Sequence, residues 1–303
     1  MHPMKARAHG ALAAALVLAC AAGCSRNKQQ AVILANQGDQ IVDLDPNGAI
    51  QKYEQAVQLD PINHRILYKL AKAYKKKEEW DRVASTLGRA TEVAPSFANY
   101  WFERGWALEQ QAKKGSISWD ECKEPYKKCI EADPHKDECY ARLAVAFLWT
   151  DKEQEALQNF TKAIEHRPDD IDYYPPLADL YMRLNYDKEA EQVLNAAKDL
   201  APPGDKRLYN VHTLLSAILR DRGQIDKMVA ELEAARALRS DEPGILFNLG
   251  MAYAKLEPPK KAEALQLLKN FVARACKTQG AAKYKNECEQ AQAAQQKLQG
   301  PGG

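Results

Sequence analysis

The chain has 303 residues, 46% of them hydrophobic and 28% charged, a balance that excludes a disordered or fibrous protein and predicts a folded body. Its formal charge of +2 falls to zero once the segment before Cys24, whose only charges are Lys5 and Arg7, is set aside. A neutral body lacks the surplus of Lys and Arg that nucleic acid requires.

Residues 1–10 carry Lys5 and Arg7, and the apolar stretch ALAAALVLACAAG that follows is too short for a permanent span of about 20 residues. Together they read as the charged and apolar regions of a signal peptide, residues 1–23. Ala21, Ala22 and Gly23 then lead into Cys24, and this run resembles the lipobox of bacterial lipoproteins. The resemblance implies cleavage before Cys24 and lipid on its thiol and amine, with residues 24–29 as a linker. Cys20 lies behind the bulky Leu18 and matches less well; an ordinary secreted protein with a free Cys24 is the alternative. Ser25 in place of Asp implies, by the same resemblance, transfer to the outer membrane, facing the periplasm.

Beyond the linker, prolines that close helical runs recur at Pro61, Pro95, Pro134, Pro168 and Pro202, at intervals of 34, 39, 34 and 34 residues. Proline cannot continue a helix, so each marks a helix end. This period resembles that of the tetratricopeptide repeat, and the resemblance implies helical hairpins at 30–63, 64–97, 98–136, 137–170, 171–204, 209–242 and 243–278, followed by a helix at 280–299 and a tail at 300–303. The first shows mainly its second helix, in Ala49, Tyr53 and Ala56, while Ile33, Asn36 and Gln37 are atypical on its first. The second pairs Leu67, Leu70, Ala71 and Tyr74 with Val83, Leu87 and Ala90. In the third, Trp101, Gly105 and Leu108 are separated by an insertion in QQAKKGSISWD from Cys122, Tyr126 and Cys129. The fourth pairs Tyr140, Leu143, Ala144 and Phe147 with Ala156, Phe160 and Ala163, and the fifth pairs Tyr174, Leu177, Ala178 and Tyr181 with Ala190, Leu194 and Ala197. The sixth and seventh repeat the pattern through Ser216 and Leu232, and through Gly250 and Leu268, with extra residues around APPGD and around Pro258 and Pro259.

This period and these positions resemble the tetratricopeptide repeat. The resemblance implies an all-α fold, a right-handed α-solenoid of helical hairpins with a C-terminal capping helix. Small residues let the paired helices approach and large ones fill the crossing; a lone hairpin cannot bury its apolar face, so neighbours stack.

Five cysteines follow Cys24. Cys122 and Cys129 are seven residues apart on one helix, about 10.5 Å along its axis and too far for a bridge. Cys129 and Cys139 flank the DPHKD turn, and Cys276 and Cys288 flank Gln279 and Gly280, so these two pairs are the disulfide candidates. Cys122 is then a buried free thiol. No catalytic motif, cofactor loop or metal-ligand cluster stands out, which predicts a protein that is not an enzyme. Asp169 and Asp170 read as helix caps and His212 as a structural side chain.

By the same resemblance, the first helix of each hairpin lines a concave face. The residues placed there are Tyr68, Lys72, Lys75, Lys76, Phe102, Trp106, Val145, Trp149, Asp172, Asp179, Met182, Arg183, Asn210, Arg220, Phe247, Met251 and Lys255. Aromatic anchors beside cations suit a peptide or an amphipathic helix. The alternative is that Trp106 or Trp149 packs on a neighbouring hairpin or on the inserted loop, and that Lys75, Lys76 and Lys77 form a solvated helix end. A lipid anchor joined to a repeat array resembles the pilotin lipoproteins of type IV pilus systems, the Tgl-like group. It implies an adaptor that assembles a secretin or another protein partner in the bacterial envelope. A scaffold of a motility, polysaccharide-export or outer-membrane assembly machine, and a regulatory subunit of a cell-wall enzyme, are the alternatives.

Overall fold

A computed structural model describes residues 25–202, 204–277 and 282–300. The predicted signal peptide, Cys20 and Cys24 lie outside the described residues, as do residues 301–303 of the tail. The described residues are all-α, with no strand among them, and divide into two compact units, one ending at His166 and the other beginning at Arg167.

The first unit contains α1 (25–41), α2 (Pro46–Leu59), α3 (His64–Lys76), α4 (Trp80–Val93), α5 (Ala98–Lys113), α6 (Asp120–Ala132), α7 (Asp137–Leu148) and α8 (Glu153–His166). Each helix from α2 onward packs on the next in sequence. One core of Ala, Leu, Ile and Tyr runs from Ala31 and Ala35 through Leu67, Leu70 and Leu87 to Ala107. Small–large crossings fix the approach of paired helices. Ala144 on α7 and Phe160 on α8 are both buried, and a Cβ built on Gly105 would lie 2.7 Å from the Tyr126 ring.

The first hairpin corrects the expected register. The spacing puts Gln37 at the small-residue position, but Gln37 is exposed, and the buried residue facing the Tyr53 ring is Gly38. The small residue that meets Tyr53 therefore lies one position later on α1 than a strict 34-residue count places it. Residues 25–29, expected as a linker, are the first turns of α1.

The second unit contains a 3-10 turn at Ile171–Tyr173, then α9 (Tyr174–Arg183), α10 (Asp187–Leu200), α11 (Leu208–Asp221), α12 (Ile225–Leu238), α13 (Pro243–Lys255), α14 (Lys261–Phe271) and α15 (Lys285–Gln299). Asp170 accepts a bond from the Asp172 N–H and so caps the 3-10 turn, and Pro175 and Pro176 sit in the first turn of α9, where no intrahelical N–H is needed. A wider π-type turn, Val272–Cys276, continues α14. The capping helix starts at Lys285, later than the predicted residue 280, and packs on both α13 and α14.

A hydrogen bond recurs at the hairpin boundaries. Trp101 Nε1 donates to the Pro95 carbonyl (2.8 Å), Tyr140 Oη to Pro134 (3.1 Å) and Tyr174 Oη to Pro168 (2.6 Å), each across six residues. The structure also bonds Cys129 to Cys139, with Cα atoms 6.1 Å apart, and Cys276 to Cys288, at 5.8 Å, leaving Cys122 as a buried thiol. Burial, with Glu109 nearby, pushes that thiol up to about 12.

Candidate functional site

The residues expected on the concave face fall in both units, and each group stands by itself. In the first unit α3 carries Tyr68, Lys72, Lys75 and Lys76, and α5 carries Phe102 and Trp106. Tyr68 lies 5.0 Å from the Tyr100 ring, and the Lys72 ammonium is 5.8 Å from the Tyr68 ring centre. Lys75 is 4.1 Å above the Trp106 ring and 2.7 Å from Glu103. Trp106 itself meets Trp80 edge-on at 4.9 Å. Burial raises the Tyr68 hydroxyl above its ordinary value, helped by Glu103 and Tyr100, so this phenol stays neutral. These side chains form a closed seam of aromatic rings and cations rather than an open cleft.

Several of these side chains already have partners within the unit. Lys76 pairs with Asp43 and Lys75 with Glu103, so neither is a bare cation awaiting a ligand. Trp106 spends one edge on Trp80, as the packing alternative requires. Farther along, Phe102 lies beneath the Lys136 ammonium at 5.2 Å, and Val145 is half-buried on α7. Trp149, just past α7, stacks on Trp119 of the inserted segment, 5.1 Å apart and 7° from parallel, yet remains 64% exposed. The stack therefore leaves much of the Trp149 indole open to a partner. Trp80, Tyr100, Glu103, Trp119 and Lys136 were not foreseen; a tryptophan inside the SISWD insertion was the one signal available for them.

In the second unit, Asp172 and Asn210 meet at a cavity of about 240 Å³. Pro175 and Pro176 line it from α9, Lys206 and Arg207 from the approach to α11, and Arg239 from beyond α12. Arg207 forks onto Asp205, its closest contact 2.7 Å, which holds the Asp205 carboxyl below and the guanidinium above their ordinary ranges. Arg239 lies 4.2 Å over the Tyr209 ring. Asp179, Met182 and Arg183 run along α9 outside this lining, and Arg220 pairs with Asp221. Lys255 is exposed at the end of α13.

Phe247 and Met251 are half-buried on α13 and pack against the core of the second unit. Phe247 packs on Phe271 at 5.2 Å, and both side chains join the cluster that includes Cys288 and Ala291 of α15. The final helix covers an apolar level that a further hairpin would otherwise cover. His212 Nδ1 donates to one Glu231 oxygen at 2.6 Å, and Lys198 donates to the other at 2.7 Å. Burial pushes Glu231 up, but the bonds from His212 and Lys198 outweigh it and hold the carboxyl below its ordinary value. A fully partnered trio of this kind ties α10, α11 and α12 together.

Among the described residues no group of three or more His, Cys, Asp or Glu side chains could hold a metal ion, and no helix is long and apolar enough to cross a membrane.

Residues 45–78, which span α2 and α3, match the family model described as "TPR repeat". The fold is that of tetratricopeptide repeats. Among solved structures with it, a crystal structure of MamA protein is 19% identical, with a TM-score of 0.52 over 57% of this chain and 92% of that one. MamA 41-end from Desulfovibrio magneticus RS-1 is 15% identical, with a TM-score of 0.50 over 56% of this chain and 94% of that one. Anaphase-promoting complex subunit 3 of Schizosaccharomyces pombe (strain 972 / ATCC 24843) is 21% identical over 212 residues, 70% of this chain. The chain spans 30% of that relative's length. Tetratricopeptide hairpins generally serve protein–protein contact, offering side chains on helix surfaces rather than a reaction centre.

Proposed function

We propose that this chain is a lipid-anchored adaptor of the bacterial outer membrane, acylated at Cys24, whose tetratricopeptide hairpins hold protein partners of an envelope complex. Assembly of a type IV pilus secretin is the most concrete form of that reading. The observation that supports a binding role best is the surface of the first unit. There Trp149 presents an open indole face beyond its stack with Trp119, Lys72 is exposed beside the Tyr68 ring, and Phe102 lies by Lys136. Aromatic surface supplies most of the binding energy in such interfaces, and neighbouring charges set register. The lipobox-like run Ala21–Cys24 supports the anchor.

The test is crosslinking of the natively processed protein in its own membrane, with partners identified by mass spectrometry. A Trp149→Ala, Lys72→Glu variant is compared with the parent chain. Recovery of an outer-membrane secretin that disappears in the variant supports both the role and the surface. Recovery of the components of another machine replaces the secretin reading, and a partner retained by the variant moves the binding surface elsewhere.

A further inference from the structure

We propose that the outer face of α1 lies in the headgroup layer of the bilayer that holds Cys24, so that the first helix is itself part of the membrane attachment; this rests on the lipid-anchor reading above. α1 is helical from residue 25, the residue that follows the anchor cysteine. Its inner face buries Ala31, Ala35 and Gly38 against the first unit's core. On the outer face Val32 and Ile33 stand side by side, 46% and 49% exposed, and with Lys28 and Gln29 they line a shallow depression of about 500 Å³.

Two features select a lipid surface as the occupant. At 1.5 Å per residue, Ile33 lies about 12 Å along the helix axis from Ser25, so a helix tied through the residue before it and lying along the interface brings both apolar side chains to that interface. The charges agree: between Cys24 and Gly38 the only ionisable side chains are Arg26 and Lys28, both exposed cations suited to anionic headgroups. The nearest carboxylate, Asp39, is engaged by Tyr53 and Lys69. Cleavage before Cys24 would leave no preceding chain to cover the face.

Photo-crosslinking tests this in the full chain, processed and inserted in its own membrane. Benzoylphenylalanine replaces Ile33 in one variant, Val32 in a second, and Ile62, an exposed side chain in the α2–α3 loop, in a control. After irradiation, phospholipid adducts are expected at residues 33 and 32, at least tenfold above those at residue 62. Adducts to another protein, including a second copy of this chain, or equal lipid labelling at all three positions, overturn the proposal. The intact mass reports the anchor separately. An unacylated chain overturns the anchor and the proposal with it, whereas an acylated chain without phospholipid at residues 32 and 33 overturns only the placement of α1.

Discussion

Glu109 is 1% exposed, and its two oxygens accept from Tyr126 Oη (2.9 Å), Lys113 Nζ (2.7 Å) and Arg142 (3.3 Å). Burying a carboxylate is costly unless its lone pairs are filled, and here three donors from α5, α6 and α7 fill them. Glu109→Ala strands the buried Tyr126 hydroxyl, so a loss of about 3 kcal/mol is expected in urea denaturation. Glycines divide by the same kind of accounting. A Cβ on Gly105 would press 2.7 Å from the Tyr126 ring, so Gly105→Ala is expected to cost about 1–3 kcal/mol. A Cβ on Gly88, in mid-α4, would sit 3.6 Å from the Arg104 guanidinium, an ordinary contact. Gly88→Ala should therefore stabilise by roughly 0.5–1 kcal/mol through helix propensity. Gly105 was legible from the repeat pattern. Gly38 was not, because the small position of α1 lies one residue off a strict 34-residue count, and periodicity counted back from Pro61 cannot register such an offset. Nor was the role of Glu109, which depends on where a tyrosine hydroxyl 17 residues away comes to rest.

At the scale of helices, the seventh hairpin closes by a different device from the others. α15 is rich in Gln and Lys and buries little beyond Cys288 and Ala291, so packing alone holds it weakly. The Cys276–Cys288 bond supplies the missing constraint across a separation of 12 residues. Replacing both cysteines by Ser should lower stability by about 2–3 kcal/mol and raise hydrogen exchange in α15 well before the rest of the second unit. Exchange in α15 unchanged from the parent would show that the helix is held by packing after all. Both cysteine pairs could be picked out from the turns they flank, because a hairpin boundary brings its two sides together. The onset of α15 was harder to see, since an Ala- and Lys-rich stretch has the same helix propensity on either side of residue 285. Phe247 and Met251, which the pattern assigns to a face, are half-buried against the core, with Phe247 on the Phe271 ring of α14, a contact that no spacing rule contains.

The whole chain carries phenols whose protons the fold retains. Burial raises Tyr53, Tyr74 and Tyr126 above the ordinary 10.0, each reinforced by the carboxylate it bonds, and takes Tyr253 to about 12. Cys122 moves likewise from 9.0 to about 12. The unfolded chain releases these protons first, so the stability they confer is complete below about pH 9 and is lost as pH rises through the folded values. Urea midpoints are therefore expected to fall steadily from pH 9 to pH 12, and Cys122→Ala should remove the earliest part of that fall. A midpoint independent of pH over this range would contradict the assignment. The hairpin architecture was readable at this scale because five prolines at regular intervals act as a ruler, whereas the binding surface was less so. Which aromatic rings turn to a neighbour and which stay open is decided by pairs such as Trp80 with Trp106 and Trp119 with Trp149, and no spacing rule contains those pairs.

The bonds from Trp101, Tyr140 and Tyr174 to the proline carbonyls six residues earlier bear on where this chain can be lengthened. Proline ends one helix because it has no N–H, but its oxygen still accepts, and the first turn of the next hairpin is moored to it. The chain's own additions avoid those moorings: one lies between α5 and α6, one between α13 and α14, and the third follows Pro202, where Leu208, six residues on, has no side-chain donor. A peptide tag or reporter domain grafted into the α5–α6 or α13–α14 connection should thus leave the stacking of hairpins undisturbed, while the same graft between Pro134 and Tyr140 would cut a mooring and disturb the turn beside the Cys129–Cys139 bond.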